Sequence, residues 1–230
     1  TRAAQLLAWL LHLKGLHTGL SCANGLFLNQ RQLPTQDGMD WAQAQRLLIN
    51  RGVQAAVFES DARHLLAQGL PYDRCQIGIV TRMPRATGLD DLYPGGDEKM
   101  PGYIRTQIDV VLPEGTAVLN AAEPEVAALA KHCDGSVLLY ADDEHNARLQ
   151  AHRSEGQRVG FWREGQLVLA QGPKEHLVLS SQRPAVARLL KAGSLNTHDM
   201  LVAACAAWAL DIGTDLIRAG IKSYGSLPTA

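Results

Sequence analysis

Apolar residues recur at helical spacing along several segments of the chain. Residues 3–14 carry leucines roughly three to four positions apart and are followed by Gly15, a pattern typical of a helix and its end. Residues 194–210 are a second, strongly apolar helical segment that Asn196 or Thr197 can cap. Shorter helices are predicted at residues 40–50, 62–70, 102–112, 147–156 and 215–222.

Uninterrupted apolar runs predict strands that are buried on both faces. Residues 53–59, 76–81 and 136–140 are runs of this kind, and helical segments separate them along the chain. This alternation is typical of a parallel sheet that is covered by helices on both sides.

Two other stretches carry short strands around turn residues, which predicts antiparallel pairing. The turns are Asn24-Gly25, beside a small flap, and Glu164-Gly165. The strands predicted around them are residues 16–23, 26–29, 31–33, 158–162, 166–170 and 176–180. The sequence therefore predicts an α/β fold, with a mostly parallel sheet flanked by helices and a small antiparallel segment near residues 158–180.

Residues 110–130 join a helix, a strand and a second helix. The first helix ends here, the chain turns at Pro113-Glu114-Gly115, and residues 116–119 form a short apolar strand. The strand breaks at Asn120, and a new helix starts near Pro124. Open α/β sheets bind ligands beyond the carboxyl ends of their strands, so this stretch is a candidate part of a binding site.

Composition narrows the class of protein. Of the 230 residues, 46% are hydrophobic and only 5% aromatic, which suits an aliphatic, helix-rich core. The net charge of −1 gives no electrostatic reason to expect nucleic acid or an anionic membrane as a partner. The four cysteines are far apart and no signal peptide or membrane span is evident, so we expect reduced thiols in a cytoplasmic protein. Residues 82–101, rich in proline and glycine, predict a long surface loop.

Two polar residues at strand ends are the first candidates for chemistry. Glu59 closes a buried run, where its carboxylate would point into the ligand crevice and could hold Mg²⁺ beside a phosphate. A solvated acid that caps the following helix explains the same position equally simply. Asn120, with Glu123 and Pro124 after it, has a similar alternative as a turn and helix N-cap.

Other polar residues give weaker signals. Asp199 lies in the first turn of the last long helix, where its charge suits the helix dipole. Its neighbour His198 does not share its helix face, so the two are not a ready-made dyad. The histidines lack the spacing of zinc ligands, and no Walker A, Gly-x-Gly-x-x-Gly or Gly-x-Ser-x-Gly motif occurs.

Four segments, taken together, resemble the motifs of one family. Residues 19–29 (Gly-Leu-Ser-Cys-Ala-Asn-Gly-Leu-Phe-Leu-Asn) resemble Gly-hydrophobic-Thr-Thr-Thr-Asp-Gly-Ile-Tyr-Ile, and residues 53–59 resemble a strand ending in Val-Leu-Glu. Residues 69–80 resemble Gly-Leu-Gly-Phe-Asp-x-Cys-Asp-Val-Gly-Val-Val, and residues 115–124 resemble Gly-x-Ala-Val-Leu-Asn-Ala-Asp-Asp-Pro. In this order and spacing, the chain resembles the central ATP-binding domain of the Mur ligase superfamily, most closely the Mur-like domain of cyanophycin synthetases.

The resemblance implies a domain and its surroundings. It covers residues 1–224 and implies one Mur ligase-like domain at residues 1–225, with residues 226–230 beginning a linker to a carboxy-terminal domain. In the family, a Gly-x-x-Gly-Lys-Thr-Thr loop that holds the ATP phosphates precedes the first helix. Thr1 would be the last residue of that loop, and the rest of the loop would lie upstream.

The resemblance also implies ligands and a reaction. By motif match, Glu59 would bind Mg²⁺, Asn120 would lie on the nucleotide side, and Asp199 falls where the family has an Asn near the adenine; no catalytic residue is assigned. The reaction would be ATP-dependent amide bond formation through an acyl phosphate. In cyanophycin synthetases, this domain is linked to the addition of arginine to a poly-aspartate backbone. The implied partners are an amino acid, a polypeptide acceptor and further copies of the parent protein.

The chain departs from the family pattern at several positions. Residues 81–88 stand where the family has Asn-Val-x-x-Asp-His-Leu-Gly, so the metal-site His is missing, and the family lysine falls at Ile104 or Arg105. Arg-Gly-Gly becomes Ala62-Arg63-His64, and three threonines become Ser21-Cys22-Ala23. Two hypotheses remain open: an active ligase domain, or a degenerate domain with a structural or oligomerisation role, whose parent binds ATP weakly or not at all.

Overall fold

The computed structural model describes residues 1–93 and 95–225. Its strands are β1 (Thr18–Cys22), β2 (Gly25–Leu28), β3 (Arg31–Leu33), β4 (Ala55–Phe58), β5 (Cys75–Val80), β6 (Val111–Asn120), β7 (Ser136–Ala141), β8 (Arg158–Arg163), β9 (Gln166–Gln171) and β10 (Lys174–Ser180). Its α-helices are α1 (Arg2–Leu13), α2 (Trp41–Leu48), α3 (Ala62–Gln68), α4 (Met100–Ile104), α5 (Thr106–Asp109), α6 (Pro124–Ala127), α7 (Ala147–Ser154), α8 (Pro184–Lys191), α9 (Thr197–Ala209) and α10 (Thr214–Ser223). The expected linker at residues 226–230 lies outside the described residues.

The strands form two sheets, whose pairing confirms the predicted fold class. The smaller sheet has the order β3-β2-β1-β4; β1 pairs parallel with β4 and antiparallel with β2, so the flap is a hairpin beside a parallel pair. The larger has the order β10-β9-β8-β7-β6-β5. Strands β5 to β8 are parallel, whereas β9 and β10 are antiparallel and extend the same sheet.

One hydrophobic core joins the two sheets. It lies under α1 and α9, which pack against each other. Buried members from both sheets and both helices are Leu6 and Leu10 of α1, Leu20 of β1, Val57 of β4, Val118 of β6 and Met200 of α9. Helix α9 approaches β8 at Gly160, where a Cβ would lie 2.2 Å from the Sγ of Cys205. The smaller sheet is therefore not a separate folding unit.

The predicted turn at Pro113-Glu114-Gly115 is wrong. Strand β6 starts at Val111 and continues to Asn120, and the predicted helix at residues 102–112 is two short helices that end before it. Against β5, the register passes from Cys75↔Val111 directly to Ile77↔Thr116, so the extra residues of β6 bulge from the ladder. Such a bulge tolerates proline, which lacks an N–H. At Gly115 a Cβ would lie 2.5 Å from the Gln76 carbonyl oxygen.

Two regions differ from the sequence prediction in other ways. Helix α8 was not predicted, although it begins with Pro184 and is followed by Gly193, a pattern typical of a helix. Residues 82–101 were predicted as a surface loop, but part of this loop is buried, because Leu89, Tyr93 and Met100 form a small cluster. Pro94 of this loop lies outside the described residues. All four cysteines are free, and Cys22 and Cys205 are buried.

Candidate functional site

The carboxyl ends of β1 and β4 bring Glu59 against the turn that follows β1. Ser21 pairs with Phe58 in the parallel register, and the Glu59 N–H donates to the Ser21 carbonyl at 2.8 Å. The Ala23 N–H, in the next turn, donates to Oε2 of Glu59 at 2.9 Å. Glu59 does not cap α3, since Asp61 occupies that position and accepts the His64 N–H. The helix-capping alternative for Glu59 is therefore excluded.

Thr1 lies at the same corner. Its hydroxyl donates to Oε1 of Glu59 at 2.7 Å, and its backbone nitrogen lies 2.7 Å from the same oxygen. Helix α1 begins at the next residue, so its amino end faces the carboxylate. Two residues that only the family resemblance had linked are in direct contact.

Hydrogen bonds at this corner favour the ionised form of Glu59. Burial by itself raises the pKa of Glu59, whereas the Ala23 N–H and the Thr1 hydroxyl, which donate to its carboxylate, lower it. The side chain is 21% exposed. A partly exposed carboxylate with two fixed oxygen contacts is a suitable ligand for a hard cation.

Two of the three side chains in the segment Ser21-Cys22-Ala23 are buried. Ser21 is buried and donates to the Gly38 carbonyl. Cys22 is fully buried, and burial raises the pKa of its thiol. The turn therefore presents backbone groups, rather than hydroxyls, to the crevice.

Asn120 ends β6 and holds two neighbouring segments. Its Nδ2 donates to the Thr81 carbonyl at 2.9 Å, and its Oδ1 accepts the Ala122 N–H at 3.0 Å. Glu123, which is the N-cap residue of α6, accepts the Met83 N–H at 2.8 Å. The turn interpretation of Asn120 is thus confirmed, and its role as the helix N-cap is not. These two side chains fasten the loop that follows β5.

Asp199 takes part in a capping box at the start of α9. The Asn196 side chain accepts the Asp199 N–H at 2.7 Å, and Oδ2 of Asp199 accepts the Asn196 N–H at 3.2 Å. The side chain of Asp199 is therefore used to close the first turn of α9.

His198, beside Asp199, pairs with the end of β7. Its Nδ1 lies 3.3 Å from Oδ2 of Asp142, and this contact holds the pKa of His198 above its ordinary value. The ring packs edge-on against Tyr140, with ring centres 5.6 Å apart. The predicted absence of a His198–Asp199 dyad agrees with this geometry, because the partner of His198 is Asp142.

Comparison with known proteins gives relatives over nearly the whole chain. Cyanophycin synthetase of Geminocystis herdmanii is 25% identical over 226 residues, which cover 97% of this chain and 25% of that protein. UDP-N-acetylmuramoyl-L-alanyl-D-glutamate–2,6-diaminopimelate ligase superposes with a TM-score of 0.66 at 17% identity, over 99% of this chain and 45% of the other. The chain has a Mur ligase-like fold and is related to cyanophycin synthetase.

Other comparisons agree with this relationship. FolC of E. coli, solved in complex with DHPP and ADP, superposes on the Mur ligase-like domain with a TM-score of 0.57 at 12% identity, over 96% of this chain and 54% of the other. No family model matches the sequence. The domain spans only about a quarter of the length of the curated relatives that it matches.

The corner of the Mur ligase-like domain at Glu59 fits a Mg²⁺ ion that is shared with phosphate. Glu59 supplies a carboxylate and Thr1 a hydroxyl, and Mg²⁺ commonly takes one or two carboxylates together with phosphate oxygens and water. Among the described residues, no group of three or more His, Cys, Asp or Glu side chains could hold an ion without such help. A Mg²⁺ ion held by these two groups would need further ligands, such as phosphate oxygens and water.

The predicted site residues thus divide into two sets. Thr1 and Glu59 meet, whereas Asn120 bonds to its own turn and to the Thr81 carbonyl. Asp199 bonds to the start of its own helix. Sequence reasoning did not find a contact between His64 and Asp37, which are 27 positions apart. Their approach depends on the path of the loop after β3, for which the sequence has no periodic signal. In the described part of the chain, no helix is long and apolar enough to cross a membrane.

Proposed function

We propose that this Mur ligase-like domain is part of an ATP-dependent amide ligase and that its Glu59 corner binds Mg²⁺ with the phosphates of ATP. The observation that carries the proposal is the contact of Glu59 with Thr1 and the Ala23 N–H at the carboxyl ends of parallel strands. This is where open α/β sheets bind their ligands. The related proteins are named as ligases or synthetases, in agreement with this assignment.

The proposed substrates are an amino acid such as arginine and a poly-aspartate carboxylate. A carboxylate oxygen would attack the γ-phosphorus of ATP, giving an acyl phosphate and ADP. The amine nitrogen would then attack the acyl carbon, with loss of phosphate and a proton, to give the amide. Both steps transfer charged groups, and bound Mg²⁺ would neutralise part of that charge.

The residues of the domain would orient the metal side of this complex. The Ala23 N–H fixes Oε2 of Glu59, so that Oε1 and the Thr1 hydroxyl face the same space. The remaining phosphate contacts are proposed to come from a loop upstream of Thr1. Strands β4 and β5 each form an edge of their sheet, which leaves room for a strand leading into that loop.

A degenerate domain with a structural or oligomerisation role is the second candidate. It is favoured by the hydrogen bonds that occupy Asn120, Glu123 and Asp199, since side chains used in turns and caps have less capacity for a nucleotide. The segment from Thr81 to Met83 also offers no histidine to a metal. Cytoplasmic location and homo-oligomerisation stay predictions under either candidate.

Calorimetry with Mg-ATP on the full-length protein separates the two candidates. Glu59→Gln keeps the size of the side chain but removes its charge, so we expect Mg-ATP to bind at least about tenfold more weakly, or about 1.4 kcal/mol. Glu114→Gln is the matched control, because Glu114 is an exposed glutamate on β6. Undetectable binding by the unmodified protein, or equal affinity of both variants, would support the degenerate domain instead.

A further inference from the structure

The segment after β3, residues 34–40, lies on the turn that faces Glu59; we call this segment the flap loop. A Cβ at Gly38 would lie 2.2 Å from the Cys22 carbonyl oxygen and 2.5 Å from Cα of Gly25. Ser21 also donates its hydroxyl to the Gly38 carbonyl. The position of the flap loop and that of the turn therefore depend on each other.

His64 of α3 holds the other side of the flap loop. Its Nε2 lies 2.9 Å from Oδ2 of Asp37, in the loop, and its Nδ1 lies 2.9 Å from Oδ1 of Asp61. Asp61 is the N-cap residue of α3 and follows Glu59 by two positions. The imidazole thus fastens the flap loop to the segment that carries Glu59.

Both contacts together require a protonated ring. A neutral imidazole has one N–H, whereas each carboxylate accepts only, so two such hydrogen bonds need the imidazolium. Burial lowers the pKa of His64, but hydrogen bonds to Asp37 and Asp61 outweigh it and raise the pKa above its ordinary value. The same contact lowers the pKa of Asp37. Asp37 from the loop and Asp61 from its own helix are the charged groups that act on His64.

We propose that His64 is a positioning residue for the Glu59 site, because it latches the flap loop so that the turn keeps the Ala23 N–H on the carboxylate. This inference rests on the proposed function. The contacts run from His64 to Asp37, from the adjacent Gly38 to Ser21, and from the turn to Glu59. His64 itself touches neither Glu59 nor a proposed ligand.

The latch has a definite pH dependence. A pKa raised in the folded state means that the latch is complete at low pH and is lost as the pH rises through the raised pKa of His64. One of the two hydrogen bonds then disappears, and the flap loop loosens. We expect the affinity for Mg-ATP to fall about tenfold over that range, as for partners that orient a metal ligand.

The first measurement is of the latch alone and uses no nucleotide. Nitrogen-15 NMR of the histidine rings in the protein reports how many ring nitrogens of His64 carry protons at each pH. A pKa of His64 above the ordinary value of histidine, with two N–H groups below that pKa, and a lower pKa in Asp37→Asn are expected. A His64 pKa at or below the ordinary value, or one that Asp37→Asn leaves unchanged, would overturn the latch.

The second measurement is of Mg-ATP affinity against pH in the full-length protein. His64→Gln is expected to weaken binding about tenfold below the pKa of His64 and to flatten the profile. The double variant His64→Gln with Asp37→Asn restores an uncharged hydrogen bond and should recover affinity without pH dependence. His145→Gln is the control, since His145 is 84% exposed.

The two measurements keep the two proposals apart. If the unmodified protein binds no Mg-ATP, the proposed function fails and the positioning role fails with it, while the NMR result still decides whether the latch exists. If Mg-ATP binds but His64→Gln has the same pH profile as His145→Gln, the proposed function stands and the positioning role of His64 is wrong.

Discussion

The Tyr140 hydroxyl is a buried polar group without a hydrogen-bond partner among the described residues. The side chain is fully buried between β7 and α9, and this burial raises its pKa. The ring itself packs well, against His198 and the core. Removing only the hydroxyl therefore separates the penalty of the polar atom from the benefit of the ring.

Tyr140→Phe is expected to raise the free energy of unfolding by about 1 kcal/mol, because an unpaired buried hydroxyl loses its hydration without compensation. Urea denaturation of the two proteins measures this difference. Tyr103→Phe is the control and should change little, since Tyr103 is 44% exposed. A loss of stability of about 1 kcal/mol or more in Tyr140→Phe would show that the hydroxyl has a partner, such as bound water.

Among single residues, the sequence identified one site residue well, but it did not indicate the contacts that other residues make. Glu59 was identified because its signal is local: an acid at the end of an apolar run. Asn120 was located correctly, but its hydrogen bond to Thr81 crosses between strands and leaves no trace in spacing. His64 and Asp37 meet only through the fold of the flap loop, so neither residue type nor position indicates the pair.

Among the elements, the start of α9 raises the question of whether Asp199 caps the helix, binds nucleotide, or does both. Its capping box uses the side chains of both Asn196 and Asp199, while Oδ1 of Asp199 makes no hydrogen bond within the described part of the chain. The resemblance places Asp199 near the adenine, whereas the geometry assigns it to the helix start. These two roles respond differently to substitution.

Asn196→Ala removes the cap and should lower the free energy of unfolding by about 1 kcal/mol without changing the affinity for Mg-ATP. Asp199→Ala should cost a similar amount, and its effect on Mg-ATP affinity decides whether the residue also binds nucleotide. Thermal unfolding and calorimetry on the same preparations supply both quantities. Equal affinities in the two variants would reduce Asp199 to a capping residue.

Strand β6 shows why elements were predicted better than their ends. Helices with a clear apolar period, such as α1, and strands with an uninterrupted apolar run, such as β7, were found, because burial sets both patterns. Pro113-Glu114-Gly115 has the composition of a turn, yet pairing with β5 on both sides of it carries the strand past it. Local composition cannot report a neighbouring strand, and tertiary pairing prevails here.

In the molecule as a whole, α1 connects the two sheets. It packs against β1 and β4 of the smaller sheet, and against α9 and α10, which cover the larger one. Trp9 also donates to the Gly220 carbonyl at 3.0 Å, which ties α1 to α10. A core shared in this way predicts that neither sheet unfolds without the other.

Leu6→Ala tests this coupling, because Leu6 is fully buried in the shared core. The expected cost is about 2–5 kcal/mol, from lost burial and the cavity that remains. Hydrogen exchange should show the same loss of protection at Leu20 in β1 and at Leu169 in β9, since both report one global unfolding event. Leu177→Ala, at a side chain that is 50% exposed, should leave both nearly unchanged. Faster exchange in β1 alone would mean that the smaller sheet, with the Glu59 corner, opens independently of the larger one.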